Sequence, residues 1–387
     1  MQTLKITSLL LIMPVLLLAL PRFAVQEGTT CNLCHVDPNG GSLRNDYGIT
    51  VASSELSRSQ GSDRIANYTG IINDFLRLGG DIRFLNYNSA DSLGQLKSAF
   101  FPMQADIAGY WQVNENVGVF AEQDLLRGQN EAWLLWTGLP LDGYVKAGKD
   151  LPGYGLNVDD HTSFIRGGNI RKKALQYEGL VFSPYLSPPG IVDFGINVGN
   201  FNFSQSIANQ FINESSNGGF GEHLHDKAFT TRLEWWPALG SINGFLGGTI
   251  LQQDNIHLSG LFGGAALGKF TWTGAVDVAE EYASTGTVLA SYNELNYNFS
   301  SGLNLQIKYD FFDEDIDTSG SSINRITFGA EFFPIPFVEV RYQARFTDMT
   351  GNKTTIKPEY LLLVHTWFLR RTYAAVNVYR FDFNCFC

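Results

Sequence analysis

The sequence predicts an all-β fold, a transmembrane antiparallel β-barrel of about sixteen strands, with a small N-terminal plug containing a short helix. Three observations carry this reading. From about residue 80 onward, apolar and polar residues alternate with period two in segments about ten residues long, the length of a tilted membrane strand. Leu303, Leu305, Ile307, Tyr309 and Phe311 share one face, opposite Asn304, Gln306, Lys308 and Asp310. Val338, Val340, Tyr342, Ala344 and Phe346 oppose Glu339, Arg341, Gln343 and Arg345 in the same way. Second, the apolar faces end in aromatics, drawn from 29 Phe, 16 Tyr and 7 Trp, as interfacial girdles require. Third, connections alternate between tight turns (112–116, 140–143, 333–336) and long loops (153–173, 203–224, 312–323), the asymmetry of an outer-membrane barrel. A soluble sandwich shares the alternation but not the strand length or the loop asymmetry.

In chain order, residues 1–24 read as a signal peptide. Lys5 supplies the positive start and Leu9 to Leu20 an apolar core too short to span a bilayer, with cleavage near Ala24. Export directs the chain to a bacterial outer membrane, so its surroundings are a lipid bilayer. Residues 25–77 form the plug segment. It holds the turn-rich Asp37-Pro38-Asn39-Gly40-Gly41 and a helix expected over 65–78, with Ile65, Ile71, Ile72, Phe75 and Leu76 on one face and Gly79-Gly80 closing it. Residues 78–387 form the barrel.

The net charge is −11, or about −13 once Lys5 and Arg22 leave with the leader, which excludes nucleic acid as a partner. Charges expected on inward faces are mixed: Asp106, Arg232, Glu234, Lys308, Asp310, Arg325, Glu331, Glu339, Arg341 and Arg345. A single-sign ring would indicate an ion-selective pore; a mixed set fits a lumen braced by salt bridges around an inserted plug. Asp310, Asp313, Glu314, Asp315 and Asp317 cluster near an expected outer loop, where they read as a solvated tip rather than a cation site.

Four cysteines fall into two tight pairs, Cys31/Cys34 and Cys385/Cys387, rather than the spread of a disulfide framework. Cys31-Asn32-Leu33-Cys34-His35 is C-x-x-C-H, the attachment sequence of a c-type haem. Two thiols would form thioethers to the haem vinyls, and His35 would ligate the iron. Composition alone would produce this pattern about once in 1,500 such chains. A redox C-x-x-C pair would want a βαβ context, and a zinc site a second Cys or His pair at close spacing. Neither is present. Candidates for the far axial position are His161 and Met103 foremost, then His223, His225, His257, His365 and Met349, or an open site.

Signal peptide, a single C-x-x-C-H in a short leader segment, and a barrel of about 300 residues together resemble the fused monohaem cytochrome–porins of iron-oxidising bacteria. They are also similar to the porin-like electron conduits of related organisms. The specific match is Cys31 to Gly41, with Val145-Lys146-Ala147-Gly148, Tyr154-Gly155 and Asp160-His161-Thr162. The resemblance implies one haem c on Cys31, Cys34 and His35. It implies electron transfer between extracellular Fe(II), or another outside donor or acceptor, and a periplasmic c-type cytochrome. Whether the chain counts as an iron-oxidising enzyme stays open. Two other classes remain: a diffusion porin with a structural or sensory haem, and a haem enzyme such as a peroxidase.

Overall fold

The computed structural model describes residues 22–41, 43–54, 56–59, 71–73, 75–90, 96–156, 158, 160, 162–167, 188–212, 227–282, 286–320, 322–349 and 358–369. Its body is one closed antiparallel barrel of sixteen strands. The first half comprises β1 (Leu76–Ala90), β2 (Leu96–Asn114), β3 (Val117–Asp124), β4 (Asn130–Leu139), β5 (Gly143–Lys149), β6 (Gly190–Val198), β7 (Phe201–Asn209) and β8 (Lys227–Trp235). The second comprises β9 (Ile242–Gln253), β10 (Ile256–Leu267), β11 (Phe270–Glu280), β12 (Thr287–Ser300), β13 (Leu303–Asp313), β14 (Ser322–Phe332), β15 (Val338–Met349) and β16 (Glu359–Leu369). Each strand pairs with its sequence neighbours, and β16 closes on β1 with Leu363 opposite Leu85. Among the described residues no helix is long and apolar enough to cross a membrane, so the crossing is made by strands.

The alternation works as the sequence predicts. All ten charged residues expected to face inward are buried in the lumen, while Leu246, Ile250, Leu261, Leu305, Ile307 and Phe328 stand exposed outside. That outer band is soluble only against lipid. Trp111, Trp136, Trp235 and Phe270 ring the short-turn end, with Phe201 stacked on Trp235 and Phe270 beside Tyr297.

Three expectations need correcting. Ile71–Asn73 is a short strand pairing with β1, and Leu76 to Leu78 already belong to β1, so these residues are not helical. Adjacent β-branched Ile71 and Ile72, followed by the alternating Leu76-Arg77-Leu78, favour extended backbone. The plug's helices are instead α1 (Arg22–Glu27) and α2 (Asp46–Ser54). The loop expected over 203–224 begins later, because 203–209 continues β7. Its Ser-Gln-Ser run masks a weakly amphipathic strand. Asp310 is not part of the acidic loop tip: it is buried in β13.

The lumen is filled from both ends. Toward the short-turn end it holds α1, a 3₁₀ turn over Cys31–Leu33 and α2. From the long-loop end, the described residues among 150–167 of the β5–β6 connection enter, including a second 3₁₀ turn, Phe164–Arg166. They meet at Lys146, a fully buried residue of β5. Its Nζ lies 2.9 Å from both Asp37 carboxylate oxygens, 2.5 Å from Asp150 and 3.9 Å from Asp193. Asn39 donates to Asp193 at 2.7 Å, and a Cβ added at Gly153 would come within 2.7 Å of the Asn39 side chain and push it from this place.

The inward loop is held by charge. Asp160 meets Lys308 at 2.8 Å and Arg345 at 3.5 Å, Ser163 donates to Asp310 at 2.6 Å, and Arg166 meets Asp277 at 3.0 Å. Burial opposes the Asp160 charge, but Lys308 and Arg345 outweigh it and hold the carboxyl well below the usual range. A depressed folded pKa contributes stability above the ordinary carboxylate value of about 3.9, lost only as pH falls through the lowered one.

Two predictions follow from these contacts. Lys146→Met leaves three buried carboxylates without their cation, a loss of about 3–5 kcal/mol, so protease should cut residues 28–59 in the variant while sparing them in the wild type. Pepsin should leave 150–167 intact at pH 4 and begin to cut there only at lower pH; cleavage already at pH 4 would contradict the Asp160 anchor.

Candidate functional site

The C-x-x-C-H motif sits inside the barrel. Cys34 N–H and His35 N–H both donate to the Cys31 carbonyl at 3.2 Å, which winds the motif into one tight turn. In 3₁₀ geometry residues three apart eclipse, so Cys31 and Cys34 fall on the same side. Asn45 locks the turn from below. Its N–H donates to the Cys34 carbonyl at 2.9 Å, and its amide reaches the Asn32 and His35 carbonyls at 3.2 and 3.3 Å. The Asn45 Oδ1 accepts from Gly48 N–H at 3.1 Å, capping α2. Gly48 has no substitute, since an added Cβ would lie 2.2 Å from the Cys34 carbonyl oxygen. His35 forms an isolated antiparallel bridge with Arg44, whose guanidinium stacks on Trp367 at 4.6 Å.

Cys31, Cys34 and His35 line one cavity of about 420 Å³, bounded by the plug on one side and by the wall of β1–β4 and β14–β16 on the other. Leu43, Val51, Ala52, Leu56, Phe333 and Trp367 give it an apolar floor. The wall is acidic. Asp81 is the cross-strand partner of Asp106, Asp106 of Asp124, and Glu122 of Glu131. With Glu331 and Glu339, seven carboxylates line the cavity against three guanidinium groups, those of Arg44, Arg83 and Arg127. Directly opposed like charges are unfavourable in a sheet, so this wall costs stability.

The motif residues fit a covalent haem: both thiols and the imidazole border the same space, with apolar surface on one flank. They do not fit a redox dithiol. Burial and the nearby Glu234 push the Cys31 thiol up to about 11, with Arg232 opposing, whereas a reactive cysteine is held low. Among the described residues no group of three or more His, Cys, Asp or Glu is arranged to hold a metal ion.

The candidates for the far axial position separate clearly. Met103 is the extra residue of a β-bulge in β2, between the pairs Phe84–Pro102 and Arg83–Gln104. It packs against Leu85, Tyr87 and Leu361, and its carbonyl accepts from Arg127 at 2.6 Å. It borders a different, smaller pocket. His257 is exposed at the long-loop rim. His161, His223, His225, Cys385 and Cys387 lie outside the described residues, as does the Met349 side chain. His365, which the sequence presents as an ordinary strand residue, lines the cavity. Its Nδ1 meets Glu339 at 3.0 Å and its Nε2 meets Asp81 at 3.0 Å, with Trp367 4.7 Å away. Period two alone could place His365 inward; nothing in the sequence could place the plug beside it.

No protein-family model matches this chain, and no curated protein sequence does. Solved structures do. The anion-selective porin from Comamonas acidovorans aligns at a TM-score of 0.52 and 11% identity, over 76% of this chain and 99% of that one. In-vitro folded OmpT of Vibrio cholerae gives 0.53 and 10%, over 76% and 97%. The high-pH structure of Pseudomonas putida OprB gives 0.55 and 9%, over 76% and 94%. At these identities the likeness is one of fold, and the class is plain: a porin-like outer-membrane β-barrel.

In chain produced without haem attachment, Cys31 should alkylate slowly at pH 8 and speed up only as pH approaches 11. Fast labelling at neutral pH would point to an activated dithiol instead.

Proposed function

We propose that this barrel is an outer-membrane electron conduit that carries one haem c on Cys31 and Cys34. It would pass electrons between an extracellular donor, Fe(II) foremost, and a periplasmic c-type cytochrome. One observation carries the reading: the attachment motif lies inside a lipid-facing barrel, on the wall of an internal cavity. Lipid insulates two aqueous compartments, and a redox centre held partway between them gives electrons a route that solutes lack.

The chain's own residues would do the following. Cys31 and Cys34 anchor the macrocycle covalently. His35 supplies the proximal imidazole, held in place by Asn45 through its carbonyl. Haem c, when bound, supplies a one-electron centre whose potential depends on axial ligation and burial. The acidic wall of Asp81, Asp106, Asp124, Glu122 and Glu131 favours a cationic donor such as Fe(II), since hard divalent ions seek carboxylate oxygens. Glu339 fixes His365 from Nδ1, the way carboxylates orient metal-bound imidazoles. His365 would be a second imidazole able to hold the iron, through the Nε2 that here meets Asp81. The short-turn end carries the plug and faces the periplasm, where the carrier docks.

A diffusion porin with a structural haem is the second reading, favoured by the solved structures the chain resembles. Filling of the lumen from both ends weighs against it.

Outer membranes from cells expressing haem-attachment machinery should contain a haem that resists acid–acetone extraction and is reduced by Fe(II). Purified protein should give little ion conductance in a planar bilayer. Haem reduced by dithionite but not Fe(II) would remove iron as donor, and porin-like conductance would favour the second reading. His365→Ala should keep its covalent haem and turn from low-spin to high-spin; an unchanged spectrum would remove His365 from the iron.

A further inference from the structure

Arg22 lies in the segment that hydropathy assigns to the leader, and the fold uses it. It opens α1 with none of its surface exposed. Its guanidinium forms an ion pair with Glu331 on β14, meets Asn296 Oδ1 at 3.1 Å and Glu294 at 3.7 Å on β12, and lies over the Phe23 ring at 4.4 Å. Glu294 is shared with Lys308 at 3.0 Å and Glu331 with Arg341 at 3.3 Å. The lumen at this level therefore balances two buried carboxylates with three cations, one of which is Arg22. The next turn is fixed as firmly: Gln26 donates to Thr271 at 2.5 Å, and Asn243 donates to the Gln26 carbonyl at 2.7 Å.

Cleavage after Ala24 would damage this arrangement twice. It would remove the Arg22 cation from Glu331 and Glu294. It would also create a charged α-amino group on Val25, which is fully buried in the main apolar cluster of the barrel. An ammonium among apolar side chains has no water and no counter-ion, so that terminus would oppose the very packing that seats α1.

We infer that the leader is removed on the N-terminal side of Arg22, and that Arg22 is the clamp that seats the N-terminal segment in the lumen. Leader peptidase wants a small residue just before the cut, and Ala19 is the last one preceding Arg22. The mature chain then begins at Leu20 and keeps Arg22. This makes Arg22 a positioning residue: α1 leads within four residues to Cys31, so the pin at its start sets the depth of the C-x-x-C-H turn.

The test uses the full chain with its own leader, expressed in a Gram-negative host and purified from the outer membrane. N-terminal sequencing should begin at Leu20, and at Arg22 at the latest. A terminus at Phe23 or beyond, or an unprocessed Met1, overturns the inference. The clamp is tested separately by Arg22→Gln, first checked for heat-modifiable migration on a gel, which reports an intact barrel. Proteinase should cut residues 28–59 about tenfold faster in that variant, and Arg22→Lys should restore part of the protection. A folded Arg22→Gln barrel as resistant as the wild type would show that Arg22 clamps nothing.

Discussion

Charge pairing across a crowded lumen is the constraint on which the rest of this structure depends. Sixteen alternating strands must turn their polar faces inward when lipid surrounds them, and here the enclosed space is occupied by protein rather than bulk water. Each inward charge needs a partner at hand. Lys146 shows the consequence: one ammonium gathers Asp37 from the plug, Asp150 from the inward loop and Asp193 from β6. A single residue of the wall thus holds both inserts. Buried pairs of this kind add less to stability than their geometry suggests, because desolvation offsets the attraction. What they provide here is position: Lys146 ties the plug and the inward loop to the wall at one point.

That constraint also explains what the sequence could and could not convey. The barrel is legible because its signal is local. Lipid on one side and polar filling on the other impose period two, and each of the ten charges assigned inward from alternation lies inside. The plug helix is not legible in the same way. Asp46–Ser54 contains Gly48 and three β-branched residues, Ile49, Thr50 and Val51, poor helix formers, and forms because Asn45 caps it and Gly48 fits against Cys34. Such support comes from the fold, not from propensity. The acidic wall was legible only in part: alternation marks Asp106, Glu331 and Glu339 as inward, but which carboxylates face one another is set by the pairing registers that join Asp81 to Asp106, Asp106 to Asp124 and Glu122 to Glu131.

The same contrast holds for the site. Cys31, Cys34 and His35 stand out by spacing alone, whereas the cavity they line is completed by the neighbouring plug, Leu43 to Leu56, and by wall residues from Asp81 to Trp367. Asp160 reads as one more loop carboxylate in the sequence, yet in the fold it is buried between Lys308 and Arg345 and anchors a loop. Met103 is the extra residue of a bulge and packs beside Leu85 and Leu361, a placement that period two does not foretell. Function in this molecule is therefore a matter of what the barrel encloses. The carboxylate wall that costs the sheet stability faces the same cavity as the haem motif, and a cost retained at a candidate site is where function is to be sought.

The central claim is that an iron porphyrin is seated within the barrel, and its location can be read directly. Crystals of the haem-loaded protein, measured on both sides of the iron absorption edge, should give one anomalous peak inside the lumen beside His35, facing Trp367 and His365. A peak outside the barrel wall, or no iron peak from protein that has passed through a competent haem-attachment pathway, would contradict the account.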